Sequence, residues 1–297
     1  MQTPSQAPFH SIRNESFAAV IHNKGAELKR LVHKDSKTDI IWQGSPDSWT
    51  GSAPILFPIV GRLKDGVYVW DGDQYSMNTH GLVRRATWET TEHTESAASF
   101  RIHSDATTRK CYPFDWELTA RFTLTQDGIR VDYCVRNTDT KPMLFSIGSH
   151  PAFNIPFAGG KLEDYKITFE HPETFKAYRI TDELLSPVSY PVASRENSIH
   201  LTRTLFNDDA LIFKNIRSRR VYISNSINNS RVTLRTGGAP DLGIWSKPGA
   251  PFVSIEPWFG FDDSPDVTGF LNEKPGILTL PCGKKFEAHY EIEFSIG

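Results

Sequence analysis

Two residues in this chain have surroundings suited to proton chemistry. His150 ends the run Met143-Leu144-Phe145-Ser146-Ile147-Gly148-Ser149 and is followed by Pro151-Ala152-Phe153-Asn154. The alternation before it reads as a strand, and a strand end fixes a ring in place. Its small neighbours, Gly148 and Ser149, read as clearance for a ligand. Imidazole is the side chain best suited to exchanging protons near neutral pH. A histidine that only caps a strand is the competing reading. Glu256 sits inside Pro251-Phe252-Val253-Ser254-Ile255-Glu256-Pro257-Trp258. Period two places Phe252, Ser254 and Glu256 on one face, with Val253 and Ile255 on the other. A carboxylate in that setting loses solvation, which raises its pKa and makes it a stronger base. A buried ion pair is the alternative.

Three further polar groups interrupt apolar segments. Arg62 ends Phe57-Pro58-Ile59-Val60-Gly61, where a guanidinium fork could donate to ligand hydroxyls. His80 precedes Gly81, which allows close backbone approach. Asp209 opens Ala210-Leu211-Ile212-Phe213, where a carboxylate could clamp paired hydroxyls. Each taken alone reads more simply as a surface or turn residue.

Other chemistries find little support. His80, His150 and His200 are far apart, with no HxH, HExxH or paired-cysteine spacing, so no metal site is expected. Asp262, Asp263 and Asp266 could hold calcium but read better as a solvated acidic loop. Gly237-Gly238-Ala239 is too short for a phosphate loop, and GxSxG is absent.

The elements that must position these groups are strands. Trp116, Leu118, Ala120, Phe122 and Leu124 alternate with polar residues. After Gln126-Asp127-Gly128 the alternation resumes through Ile129, Val131, Tyr133 and Val135, which predicts a hairpin. Val67–Trp70 and Gln74–Met77 flank a second turn, and Phe286 to Phe294 form a terminal strand with His289 on its solvated face. Helical periodicity is limited to a turn near Phe270-Leu271-Asn272-Glu273, and the irregular stretch from Pro187 to Ser198 is expected near the site's rim. Many strands with Gly, Pro and Asx turns predict an all-β fold, a large antiparallel β-sandwich or barrel. Nothing demands a boundary, so residues 1–297 read as a single domain.

Composition narrows the function. Lys and Arg total 33 against 35 Asp and Glu, without the basic excess that nucleic acid or an anionic membrane requires. The three cysteines (Cys111, Cys134 and Cys282) lack disulfide or zinc spacing. Neither a signal peptide nor a membrane-length apolar run is visible, so a cytoplasmic setting is expected. Nothing separates a monomer from a homodimer.

Taken in order, six segments resemble the aldose 1-epimerase (galactose mutarotase-like) family, in particular its LacX-like branch. They are Phe57–Leu63, Thr79–Arg84, Ser149–Asn154, Asp209–Phe213, Leu242–Pro248 and Ser254–Trp258. The resemblance implies a β-sandwich with a sugar on its concave face. It implies that Glu256 takes the proton of the anomeric hydroxyl while His150 protonates the ring oxygen. Arg62, His80 and Asp209 match positions that bind sugar hydroxyls, and Trp245 and Trp258 are read as an apolar wall. The implied partner is a small-molecule sugar. Mutarotation opens a hemiacetal, rotates one bond and recloses the ring, with no cofactor and no metal. It needs an acid and a base, expected on opposite sides of the C1–O5 unit.

Two departures stand out: Leu82-Val83-Arg84-Arg85 after His80-Gly81, and Gly148-Ser149 where two glycines are frequent. The extra Arg85 keeps a hexose-6-phosphate 1-epimerase open, with Arg62, Arg84 or Arg85 near the phosphate. A non-catalytic carbohydrate-binding or regulatory protein is the third reading.

Overall fold

The computed structural model describes residues 8–297 and is built from antiparallel sheet. The largest sheet has nine strands. At its centre lies the expected hairpin, Trp116–Leu124 paired with Gly128–Asn137, and Lys285–Ser295 pairs alongside. A six-stranded sheet runs Leu211–Phe213, Asp241–Trp245, Phe252–Phe259, Ile147–Ser149 and Ile55–Leu56, with Ala152–Asn154 also paired to Phe252–Phe259. A four-stranded sheet occupies the N-terminal part, Phe9 to Asp39.

The large and six-stranded sheets share one core. Trp116, Phe122 and Val131 from the first, and Ile147, Val253 and Ile255 from the second, belong to one contiguous apolar cluster. Phe57 bridges them, with its ring 4.9 Å from Trp116 and 5.9 Å from Phe145. Burying each such side chain stabilises the fold by about 1.5–3 kcal/mol. The opposite face of the six-stranded sheet supports a second, small cluster that includes Leu56, Val60, Ile212 and Trp258. One sheet thus has a structural face and a face left over for something else.

The run before His150 departs from expectation. It is two strands rather than one: Met143–Phe145 pairs with Leu278–Leu280, and Ile147–Ser149 joins the six-stranded sheet. Every residue from Met143 to His150 is buried, so the alternation marks two covered faces, not a solvated one. The helical turn expected near Phe270 is present as Leu271–Glu273. Among the described residues no helix is long and apolar enough to cross a membrane.

Candidate active site

Strand register brings His150 and Glu256 together. On one side of His150, Gly148 pairs with Trp258; on the other, Ala152 pairs with Ser254. The register is the same across the gap, so His150 stands opposite Glu256 on the neighbouring strand. The far neighbour of Glu256 is Gly243, which adds no side chain beside the carboxylate. His150 Nε2 lies 3.3 Å from Glu256 Oε2. Both residues are buried, at 7% and 1% exposure. Neither Glu256 Oε2 nor His150 Nδ1 has a hydrogen-bond partner among the described residues.

Burial governs their protonation. It pushes the Glu256 carboxyl well above its usual range, and the nearby Asp262 and Asp209 charges add to that. It pushes His150 down to about 3, opposed by the ring's interaction with its own backbone and helped by the Arg84 charge.

The pair lies on the floor of a cleft of about 490 Å³. Arg62, His80 and Asp209 line it, as do Trp245 and Trp258, so the pair and the five residues read as sugar-binding meet in one place. The Gly61 N–H donates to His80 Nδ1 at 3.0 Å, which puts the proton of the neutral ring on Nε2. Burial, followed by His150 and the two arginines Arg84 and Arg62, holds that ring well below its normal pKa. His80 and Asp209 both adopt left-handed backbone, φ 64° and 66°, which non-glycine residues take up at a cost and which gathers at functional sites. Gly81 is confined to glycine because a Cβ there would run into the Phe57 carbonyl. Arg62 Nη1 lies 3.8 Å from Asp209 Oδ2, and both side chains remain about one-third exposed.

The structure corrects several readings. Asp262 and Asp263 are not a solvated loop, being 5% and 4% exposed. Asp262 lines the cleft and accepts the Arg62 N–H at 2.8 Å. Asp263 accepts from the Lys274 ammonium at 2.7 Å in a buried ion pair, and its own N–H donates to the Arg62 carbonyl. Both acids therefore hold the Arg62 segment in place. Gly148 gives clearance to an indole rather than directly to a ligand, since a Cβ there would lie 2.6 Å from Trp258 Cδ1. Ser149 alternates to the opposite side of the sheet from His150. The stretch 187–198 contributes nothing to the cleft lining, which is completed by Ile180 and Phe206. Arg84 lines the cleft, whereas Arg85 is exposed and lines a neighbouring basic depression with Lys24 and Lys29.

Sequence reasoning missed Trp49. Its ring stacks on His150 with centroids 4.6 Å apart, and it lines the cleft. Trp49 follows Gly44-Ser45-Pro46-Asp47-Ser48, a segment with no periodicity to flag it.

A buried histidine–carboxyl pair at a cleft of an antiparallel β-sheet, surrounded by polar and aromatic side chains, is an arrangement able to exchange protons with a bound ligand. Comparison with known proteins agrees. Residues 8–293 match the family model described as aldose 1-epimerase, and the chain belongs to that family. It is 31% identical over 288 residues to the plasmid-encoded protein LacX of Lactococcus lactis, covering 92% of this chain and 96% of that one. A galactose mutarotase related enzyme from Lactobacillus acidophilus is 32% identical, with a TM-score of 0.91 over 97% of both chains. A galactose mutarotase-like protein from Lactobacillus casei is 30% identical, also with a TM-score of 0.91, over 97% of this chain and 100% of the other.

Proposed function

We propose that this chain is a mutarotase that interconverts the α and β anomers of a free hexose. The observation that carries the reading is the register-matched His150–Glu256 pair, 3.3 Å apart on the cleft floor. The two oxygens that exchange protons during ring opening are bonded to one carbon. An acid and a base side by side therefore suit the reaction, where the sequence had suggested groups on opposite sides of the C1–O5 unit.

The proton balance follows from the site. Glu256 as carboxylate takes the anomeric hydroxyl proton while His150 as imidazolium gives one to the ring oxygen. The sugar opens to an aldehyde with no net change in protons, and the pair passes from charged to neutral. Rotation about one bond and reversal of both transfers close the ring on the other carbonyl face. Burial favours the neutral pair, so the charged pair that begins ring opening is the costly form in the free cleft, and the opened state, which restores the neutral pair, is favoured relative to it. Each transfer is worth about 10²–10⁴-fold in rate. His80 Nε2–H, Arg62 and Asp209 would hold the sugar's other hydroxyls, and Trp245 and Trp258 its apolar face. The chemistry needs no cofactor.

Polarimetry on fresh α-D-galactose and α-D-glucose tests this. Wild-type protein should speed equilibration well beyond buffer, and Glu256→Gln should abolish most of the gain. No acceleration by wild type, or full activity in the variant, would sink the assignment.

Arg84 favours a second reading. It is a partly buried guanidinium on the cleft wall, and no acid among the described residues lies within ion-pair distance of it. A hexose 6-phosphate could supply that acid. Strong preference for glucose 6-phosphate over glucose would establish this reading, and equal rates would remove it. Sugar binding by calorimetry with no rate enhancement would instead mark a non-catalytic binder.

A further inference from the structure

His150 lacks a support that acid–base histidines commonly have. A hydrogen bond at the second ring nitrogen usually fixes tautomer and orientation. Here Nε2 faces Glu256, and Nδ1 is buried with no hydrogen-bond partner on any other described residue, the ring's one backbone interaction being with His150 itself. The ring's plane is therefore held by packing. Trp245 and His80 meet it edge-on, each at 5.7 Å. Among the described residues Trp49 alone stacks across its face, at 4.6 Å and 27° from parallel.

The loop beneath Trp49 is itself tied down. Its carbonyl accepts from Trp42 Nε1–H at 3.0 Å and from the Ser45 N–H at 2.9 Å. The Lys247 ammonium donates to the carbonyls of Asp47 and Ser48, at 3.2 and 3.3 Å. A side chain at Gly51 would collide with the indole. Phe252 packs against the indole at 5.6 Å. These contacts seat Trp49 before any ligand arrives.

We propose that Trp49 is the positioning residue for His150, with its indole doing by stacking what a hydrogen bond to Nδ1 does elsewhere. The catalytic part of this proposal rests on the proton-exchange reading above; the orientation of the ring does not. The stack has an electrostatic consequence as well. An indole face attracts a cation, so it supports the imidazolium that must give up the ring-oxygen proton. It also keeps water off the ring, which works the other way. The charged or titratable groups facing the imidazole are Glu256, His80 and Arg84. The cation–π contribution is small beside the burial that takes His150 to about 3. Opening the face to water should therefore raise the His150 pKa.

Trp49→Phe and Trp49→Ala separate the possibilities, with melting temperature as the check on folding. Trp49→Phe keeps a ring on the imidazole and should stay within about threefold of wild-type kcat. Trp49→Ala should lose about tenfold or more in kcat, as expected when a reacting group is displaced. Galactose affinity by calorimetry should change by less than about threefold. In a His150→Asn background, Trp49→Ala should cost nothing further, because the two residues act as one unit. Labelled-histidine NMR of Trp49→Ala should show the His150 ring broadened and titrating at higher pH. A loss of sugar affinity that is the same with or without His150 would make Trp49 only a sugar wall and overturn the proposal. Unchanged His150 resonances would overturn it too. If wild type shows no mutarotase activity, the catalytic reading fails while the NMR result still decides the orientation.

Discussion

The strand Phe252–Phe259 has two sides that obey different rules. Val253 and Ile255 point into the main core, at 1% exposure each, where only shape and apolarity matter. Glu256 and Trp258, on the other side, are as deeply buried but face a cleft. There the sheet carries a carboxyl with an oxygen lacking a partner among the described residues, beside the Trp258 indole, which interacts with that carboxyl. Buried polar groups left unpaired cost stability. The contrast teaches that depth alone does not mark a core. What marks the site is a buried ionisable pair opening onto a cleft, not unmet hydrogen-bonding capacity by itself, which Trp116 Nε1 in the core shares.

Substitutions should keep the two sides apart, and the largest effect is expected on the cleft side. Glu256→Gln preserves shape and should lower the mutarotation rate about 10²–10⁴-fold while leaving the melting temperature at or above wild type. Ile255→Ala, one residue away, should do the reverse. It should cost about 2–5 kcal/mol in denaturant unfolding, with activity per folded molecule largely kept. Equal stability losses at both positions would erase the distinction.

A smaller effect is expected at Gly243. A Cβ there would lie 2.7 Å from the Trp258 ring, so Gly243→Ala should push the indole toward the cleft. Overpacking of this kind costs about 1–3 kcal/mol. The contrast also requires sugar affinity to fall, measured by calorimetry, since Trp258 lines the cleft.

The two sides also differ in pH dependence. Burial holds Glu256 above its ordinary 4.5, so the folded state keeps a proton that the unfolded chain loses. Above pH 4.5 that opposes folding increasingly as pH rises, until the folded group also ionises. Glu256→Gln should therefore gain stability over wild type as pH rises through this range. His150 titrates in the opposite sense. Its folded value of about 3 lies below 6.5, so its neutral burial costs stability as pH falls from 6.5 toward 3. Paired urea melts of His150→Asn and wild type across that window should diverge on the acid side, with the variant losing less.

Much of the core side was legible in the sequence, because period two is imposed by the strand itself. Trp116 to Leu124 and Phe286 to Phe294 are of this kind. The pair His150 and Glu256 was legible as two residues in unusual settings. Their direct opposition was not, since it depends on register between strands about a hundred residues apart. Met143 to Ile147 misled because a strand covered on both faces can still alternate in residue size. Asp262 and Asp263 misled because acidic pairs are usually solvated. Only the fold shows the Arg62 N–H and Lys274 that they serve. Trp49 left no local signal, because its role is set by where its loop lands.

A structure with galactose bound tests the central claim most directly. The anomeric carbon should lie above the His150–Glu256 pair, with O1 within hydrogen-bond reach of Glu256 and the ring oxygen within reach of His150. A sugar seated in the same cleft with its anomeric carbon turned away from both residues would contradict it.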